Sequence, residues 1–228
     1  MEKVTRREFI SESAMFTAGA VGVMALGSGV LTPQTVQAAK VEFPESSCGV
    51  GKEKGHKVLV AYASDCGSTG EVAEAIGQVL CDNGTAVDVR LVENVKDLSS
   101  YQAAVIGSAV HRSKWLPEAI KFIETNKKVL SQLHVAYFLT CLTLYKSNDV
   151  TRRRARSYLD PVFDAVPQVK PVDIGLFAGV LDYSKLSFVV RRVMKSKMKK
   201  KGVPEGDHRN WDAIRAWAKG LGPKLLGA

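Results

Sequence analysis

Along the chain, short apolar runs alternate with longer amphipathic ones. Lys57–Ala63 reads KVLVAYA, the pattern of a strand covered on both faces. Residues 69–82 carry Val72, Ala73, Ile76, Val79 and Leu80 at helical spacing, and Asn83-Gly84 stops the run. Residues 86–92 alternate, as a strand with one wetter face does. Residues 103–109 predict another buried strand, and 115–131 a helix with Pro117 in its first turn. A fourth strand is predicted at 134–140, a helix broken near Pro161 over 149–165, and a fifth strand at 172–179. Helices at about 184–200 and 209–221 complete the series, and residues 40–56, with Pro44, Gly49, Gly51 and Gly55, read as a linker. Strands alternating with helices predict an α/β fold, a parallel sheet covered on both faces. Such sheets bind ligands beyond the carboxyl ends of their strands, near the point where strand order reverses. The loops after strands one, three and four are therefore where chemistry is expected.

The first of these loops is Ser64-Asp65-Cys66-Gly67-Ser68-Thr69-Gly70, between a strand and a helix. Its glycines let backbone N–H groups converge, and the helix N-terminus adds partial positive charge. Ser64, Ser68 and Thr69 add hydroxyls, and no Lys or Arg lies within the loop. That combination predicts a phosphate monoester held by neutral donors; a plain N-cap turn is the alternative. The Gly-Lys-Ser/Thr ending of a Walker loop and the dinucleotide Gly-x-Gly-x-x-Gly are both missing. The second loop is Ile106-Gly107-Ser108-Ala109-Val110-His111-Arg112, and the third Leu139-Thr140-Cys141-Leu142-Thr143. Neither contains paired carboxylates, a Ser–His–Asp set or Cys/His metal spacing.

With Ser64, Gly67, Ser68 and Thr69 in this strand–loop–helix context, the chain resembles the flavodoxin family from about Lys57 to its C-terminus. The resemblance implies a flavodoxin-like three-layer sandwich with a five-stranded parallel sheet in the order 2-1-3-4-5. It implies FMN as cofactor, the phosphate held by Ser64, Asp65, Cys66, Gly67, Ser68 and Thr69. The flavin ring would lie beside Gly107, Ser108, Ala109, Val110 and His111 on one side and Thr140, Cys141 and Leu142 on the other. Trp115 or Tyr145 either stacks on that ring or packs in the core, and His111 either stabilises a reduced anionic flavin or is a simple loop residue. Several further stretches are similar to the menaquinone-dependent protoporphyrinogen oxidases of the family. They are residues 105–110, Leu116-Pro117-Glu118-Ala119-Ile120, Ala136-Tyr137-Phe138 with Arg152, Arg153 and Arg154, residues 177–183, and Asn210-Trp211. They imply a porphyrinogen-type substrate and a quinone acceptor. His111-Arg112-Ser113 stands where those relatives tend to carry an Arg-Tyr-Gly-like run. The other readings are an electron carrier with no small-molecule substrate, and a flavin-free module holding another phosphate or a haem precursor.

Composition adds location and charge. The chain has 228 residues, 46% hydrophobic and 24% charged, which is globular composition. Its start, Thr5-Arg6-Arg7-Glu8-Phe9-Ile10, resembles the twin-arginine export motif, and an apolar stretch from Ala14 to Leu31 follows. Val36 and Ala38 suit a signal peptidase, so residues 1–38 read as a signal and 57–228 as the FMN-binding domain. The protein is then exported by the twin-arginine machinery, to the periplasm or the outer face of the cytoplasmic membrane; an uncleaved anchor is the alternative. Four cysteines are too few for a disulfide-built scaffold. Cys66 and Cys141 fall in two of the chemical loops, either close enough to oxidise together or buried as small residues. Cys81 reads as core, and Cys48 lies in the linker without the small apolar residues that precede a lipidated cysteine.

The net charge is +9. Residues 183–204 hold no acid and eight cations: Lys185, Arg191, Arg192, Lys195, Lys197, Lys199, Lys200 and Lys201. With Leu186, Phe188, Val189, Val193 and Met194 among them, the basic helix 184–201 is of the type that lies on an anionic membrane, where a quinone would dissolve. A solvated face on a packed helix is the alternative. Nucleic acid is not an expected partner of an exported protein. Carrier flavodoxins are usually acidic, the opposite sign.

Overall fold

The structure, a computed structural model, describes residues 41–49 and 57–227. Its main sheet comprises β1 (Ser46–Cys48), β2 (Lys57–Ala63), β3 (Ala86–Leu91), β4 (Ala103–His111), β5 (Lys114–Trp115), β6 (His134–Cys141) and β7 (Pro171–Ala178). The order is β1-β3-β2-β4-β6-β7, with β5 paired to β4. The five expected strands, β3-β2-β4-β6-β7, are parallel and stand in the order 2-1-3-4-5.

Alternation along each strand builds the two faces. Val58, Val60, Tyr62, Val105, Ala136 and Phe138 point to one side. There they pack against α1 (Ser68–Asp82) and the C-terminal α6 (Trp211–Leu226), through Val72, Ile76, Ile214 and Leu221. Leu59, Ala61, Ile106, Tyr137 and Leu139 point to the other side. They meet α2 (Pro117–Leu130), α3 (Asp149–Arg156) and α4 (Asp160–Ala165), which supply Phe122, Ile123, Ala155 and Val162. Pro117 opens α2, and a one-turn 3-10 segment at Ser157–Leu159 joins α3 to α4.

Two features depart from the expected pattern. Part of the segment read as linker is β1, an antiparallel edge strand on β3. Polar side chains hold it: Arg90 donates to the Ser46 carbonyl and Ser47 Oγ, each at 2.6 Å, and Leu91 N–H donates to Glu45 Oε1 at 2.9 Å. A disulfide joins Cys48 in β1 to Cys81 near the end of α1, Cα–Cα 6.2 Å. Cys81 is therefore a staple rather than an ordinary core residue. The second departure is that β4 runs on to His111, turns through Arg112 and Ser113 at φ 50° and 65°, and returns as β5.

A second layer of structure lies over the carboxyl end of the sheet. β8 (Val180–Leu181) pairs antiparallel with β9 (Gly206–Asp207), and α5 (Phe188–Lys201) lies between them in sequence. This cap has its own small core of Leu181, Tyr183 and Met198, against which Leu142, Leu186, Met194 and Val203 pack.

Candidate functional site

The first chemical loop turns tightly between β2 and α1. Gly67 is left-handed at φ 82° and sits at the N-cap of α1, where its N–H donates to Ser64 Oγ at 3.0 Å. A side chain there would strike the Glu42 carbonyl, 2.4 Å from its Cβ, so the turn requires glycine. Ser68 and Thr69 hold the first two helical positions, and their N–H groups have no carbonyl of their own helix to bond. The Thr69 side chain points elsewhere: it is buried, and its Oγ1 lies 2.7 Å from Thr140 Oγ1.

Beyond this loop is a cleft of about 190 Å³. Ser64, Asp65, Cys66 and Ser68 line it from the first loop, Ala109 and Val110 from β4, and Thr140, Cys141 and Leu142 from the end of β6. The cap closes the far side with Leu181, Asp182, Lys185, Leu186 and Met194. Ser64, Asp65, Ser68, Thr140, Asp182 and Lys185 give the lining its polar groups, and Val110, Leu142, Leu181, Leu186 and Met194 its aliphatic ones.

Five expected site residues lie outside that lining. Gly67 shapes the turn and Thr69 ties α1 to β6, as described. Gly107 is inside the sheet, paired with Tyr62 and Phe138, and an added Cβ would meet the Phe138 ring at 2.0 Å. Its small size makes room for a core aromatic. Ser108 is buried, and its Oγ donates to the Ala109 carbonyl at 2.7 Å and accepts from Leu116 N–H at 3.0 Å. His111 is exposed at the hairpin tip, its Nδ1 4.0 Å from Asp65. Of the two aromatics, Trp115 is 2% exposed and packs edge-on to Tyr137 at 5.4 Å, so its role is core packing. Tyr145 stands edge-on to His208 at 4.7 Å, outside the cleft lining.

Cys66 and Cys141 both line the cleft as free thiols. Burial, with Asp65 next in effect, pushes Cys66 up to about 11, and burial pushes Cys141 to about 11. Neither is a thiolate near neutral pH, so neither is a ready nucleophile or redox partner. Among the described residues no group of His, Cys, Asp and Glu is arranged to hold a metal ion.

A family model described as a flavodoxin domain matches residues 59–207, a span that holds all three loops and the cap. The chain belongs to the flavodoxin domain family. As a flavodoxin domain it is an electron-transfer flavoprotein whose cofactor is FMN, and the cleft fits that group, with free N–H donors at the loop end and aliphatic walls for a flat ring. No curated protein matches the chain. Among solved structures it is similar to oxidised Flavodoxin 1 from Bacillus cereus, at 14% identity and TM-score 0.47, covering 75% of this chain and 97% of that one. It is also similar to a flavodoxin from the domain Archaea, at 18% identity and TM-score 0.41, covering 74% of this chain and 98% of that one. A third is rubredoxin oxygen:oxidoreductase from the anaerobe Desulfovibrio gigas, at 16% identity and TM-score 0.43, covering 75% of this chain and 35% of that one.

This flavodoxin domain has functional-site residues that sequence reasoning missed. Leu181 and Asp182 were legible only as part of the similar stretch 177–183, and Lys185, Leu186 and Met194 only as part of a basic helix. Their place over the cleft depends on the β8–β9 pairing, and two-residue strands leave no periodic signal. Arg209 reaches the first loop from 141 residues away, a contact that nothing in the local sequence announces.

Proposed function

We propose that this chain is an exported FMN-dependent oxidoreductase that works at the membrane surface and passes electrons from a porphyrinogen-type substrate to a quinone. The observation that carries this reading is the cap: the segment that closes the cleft runs directly into the acid-free basic stretch 183–204. On α5, Phe188, Val189 and Val193 are 75, 71 and 62% exposed. At helical spacing they share one side with Arg192 and Lys199, opposite the buried Met198 and the cleft-lining Met194. Among the described residues none of the ion pairs includes a cation of α5. Exposed apolar side chains on a helix without acids suit an anionic lipid surface, where each nearby cation adds about 1 kcal/mol. A quinone dissolved in that lipid would approach the cleft from the cap side.

The stretches similar to the quinone-linked protoporphyrinogen oxidases support the substrate class, and the twin-arginine-like start supports export. That start, including the cleavage expected after Ala38, lies outside the described residues. FMN, when bound, supplies the redox chemistry itself. The chain's residues bind and orient it: the Ser68 and Thr69 N–H groups and the Ser68 hydroxyl hold the phosphate end. Val110, Leu142, Leu186 and Met194 keep water from the ring end. Substrate oxidation removes hydrogen atoms in pairs, and each pair reduces one quinone to its quinol.

The test is porphyrin formation by the FMN-loaded full chain, with a menaquinone analogue carried in anionic vesicles. Quinone-dependent formation of porphyrin is the expected result. FMN retention without turnover would favour an electron carrier, a reading that suits the small volume of the cleft. A chain that fails to hold FMN would overturn both.

A further inference from the structure

The first loop contains no cation, yet two cations from the C-terminal segment grip its backbone. Lys185 Nζ donates to the Cys66 carbonyl at 3.3 Å, and Arg209 Nη1 donates to the Ser68 carbonyl at 2.9 Å. Arg209 is no surface group. Its side chain is 6% exposed, and its Nη2 reaches Asp207 at 2.6 Å and Glu71 at 2.8 Å. Its Nε donates to both Asp207 oxygens at 2.9 and 3.1 Å, and its guanidinium lies 4.4 Å from the centre of the Trp211 ring. Lys185 is the one cation among the cleft-lining residues, which also include the carboxylates of Asp65 and Asp182.

We propose that Lys185 and Arg209 are positioning residues for the flavin phosphate, acting through the carbonyls of Cys66 and Ser68. The inference rests on FMN being the ligand of this cleft. In a trans peptide the C=O and N–H point to opposite sides. A guanidinium on the Ser68 carbonyl therefore fixes the direction of the Thr69 N–H in the same peptide unit. It also polarises that unit, which makes the N–H a stronger donor. Lys185 holds the unit joining Cys66 to Gly67, whose N–H is donated to Ser64 Oγ, and so steadies the turn that presents the Ser68 and Thr69 N–H groups. Glu71 and Asp207 neutralise Arg209 overall, so what it adds at the phosphate is the fixed and polarised Thr69 N–H rather than long-range charge. Lys185 also offsets the two cleft carboxylates. Phosphate affinity is thereby tied to the docking of the cap.

The test compares FMN with riboflavin, which lacks the phosphate, by fluorescence titration of the full-length apo-chain and of K185M, K185R, R209Q and R209K. K185M and R209Q are expected to weaken FMN binding by about tenfold, the loss of one good charge-assisted contact, and to leave riboflavin binding within about twofold. K185R is expected to restore most of the difference, and R209K less, because one ammonium cannot bridge Ser68, Glu71 and Asp207 together. Equal weakening for both flavins, or no change for either, overturns the proposal. If R209Q does not fold, K185M decides. A second readout needs no flavin: amide exchange at Gly67, Ser68 and Thr69 in the apo-chain is expected to quicken in both variants. Should the parent chain bind neither flavin, the functional reading fails, and unchanged exchange would then overturn the positioning role by itself.

Discussion

Thr69 and Thr140 share a buried hydrogen bond of 2.7 Å that joins the first turn of α1 to the end of β6. Removing one partner strands the other. T69V or T140V alone is expected to cost about 1–3 kcal/mol, while the double variant is expected to be less destabilised than the sum, since both groups are then apolar. Urea unfolding of the three variants checks this.

Gly107 is a position where volume decides. With the Phe138 ring 2.0 Å from an added Cβ, G107A is expected to lower stability by about 3 kcal/mol, at the upper end of overpacking costs. Pairing it with F138L is expected to recover part of the loss. Thermal unfolding of the single and double variants reads the difference, and an unaffected G107A would show that the ring moves aside freely.

Asp88 makes the fold acid-sensitive. Burial opposes its ionisation, but hydrogen bonds from Lys57, Tyr101 and Ser47 outweigh burial and hold the carboxyl down at about 2. Lys57 Nζ lies 2.8 Å from it, and the Tyr101 hydroxyl donates at 2.7 Å. Because the folded value lies below the roughly 3.9 of an unfolded chain, the group stabilises the fold above about pH 4. That contribution is lost as pH falls from about 4 to about 2. D88N is expected to be less stable at neutral pH and to show a shallower loss across that window, measured by denaturant midpoints at a series of pH values.

The Cys48–Cys81 disulfide closes a loop of 33 residues between β1 and α1. A loop of that length is expected to contribute about 3–4 kcal/mol, mainly by restricting the unfolded chain. Unfolding with and without reductant measures it. Cys66, half-buried, and Cys141, buried, are both protonated thiols and are expected to alkylate slowly in the native chain and quickly once it is unfolded.

Docking on lipid has a direct readout. The full chain is expected to sediment with vesicles containing phosphatidylglycerol, to release them as salt rises, and to ignore pure phosphatidylcholine. Replacing Phe188, Val189 and Val193 together by Ser is expected to weaken this binding by about tenfold or more while FMN binding stays intact. Equal binding to neutral vesicles would remove the role of charge, and no binding would remove the docking surface.

The five parallel strands and their helices were legible because each is long enough for its period to show. Lys57–Ala63 has one polar residue in seven, and α1 repeats apolar residues every three or four positions. The β4–β5 hairpin was not legible, since Arg112 and Ser113 both take positive φ without the Gly or Asn that usually signals such a turn. Without that signal, His111 read as a residue beside the flavin ring and Trp115 as the start of a helix, whereas one is the hairpin tip and the other, in β5, takes the core place that was one of its two readings. β1 escaped notice for a different reason: three residues cannot alternate visibly, and its hold on β3 depends on the side chains of Arg90 and Glu45. At the site, the loops nearest the strands were readable from local sequence, and the cap was not, because its contacts span more than a hundred residues.

Arg209 and Ser68 are 141 residues apart, and that separation sets a clock on synthesis. At 5–20 residues per second, the ribosome makes the first loop roughly 7–28 s before it makes the arginine that grips it. The nascent chain thus displays the loop proposed to hold the flavin phosphate before the arginine on its Ser68 carbonyl has been translated. On the positioning role proposed for Arg209, firm cofactor capture waits until that arginine has been made, so a folding checkpoint that inspects the segment around it would also be inspecting readiness to load flavin.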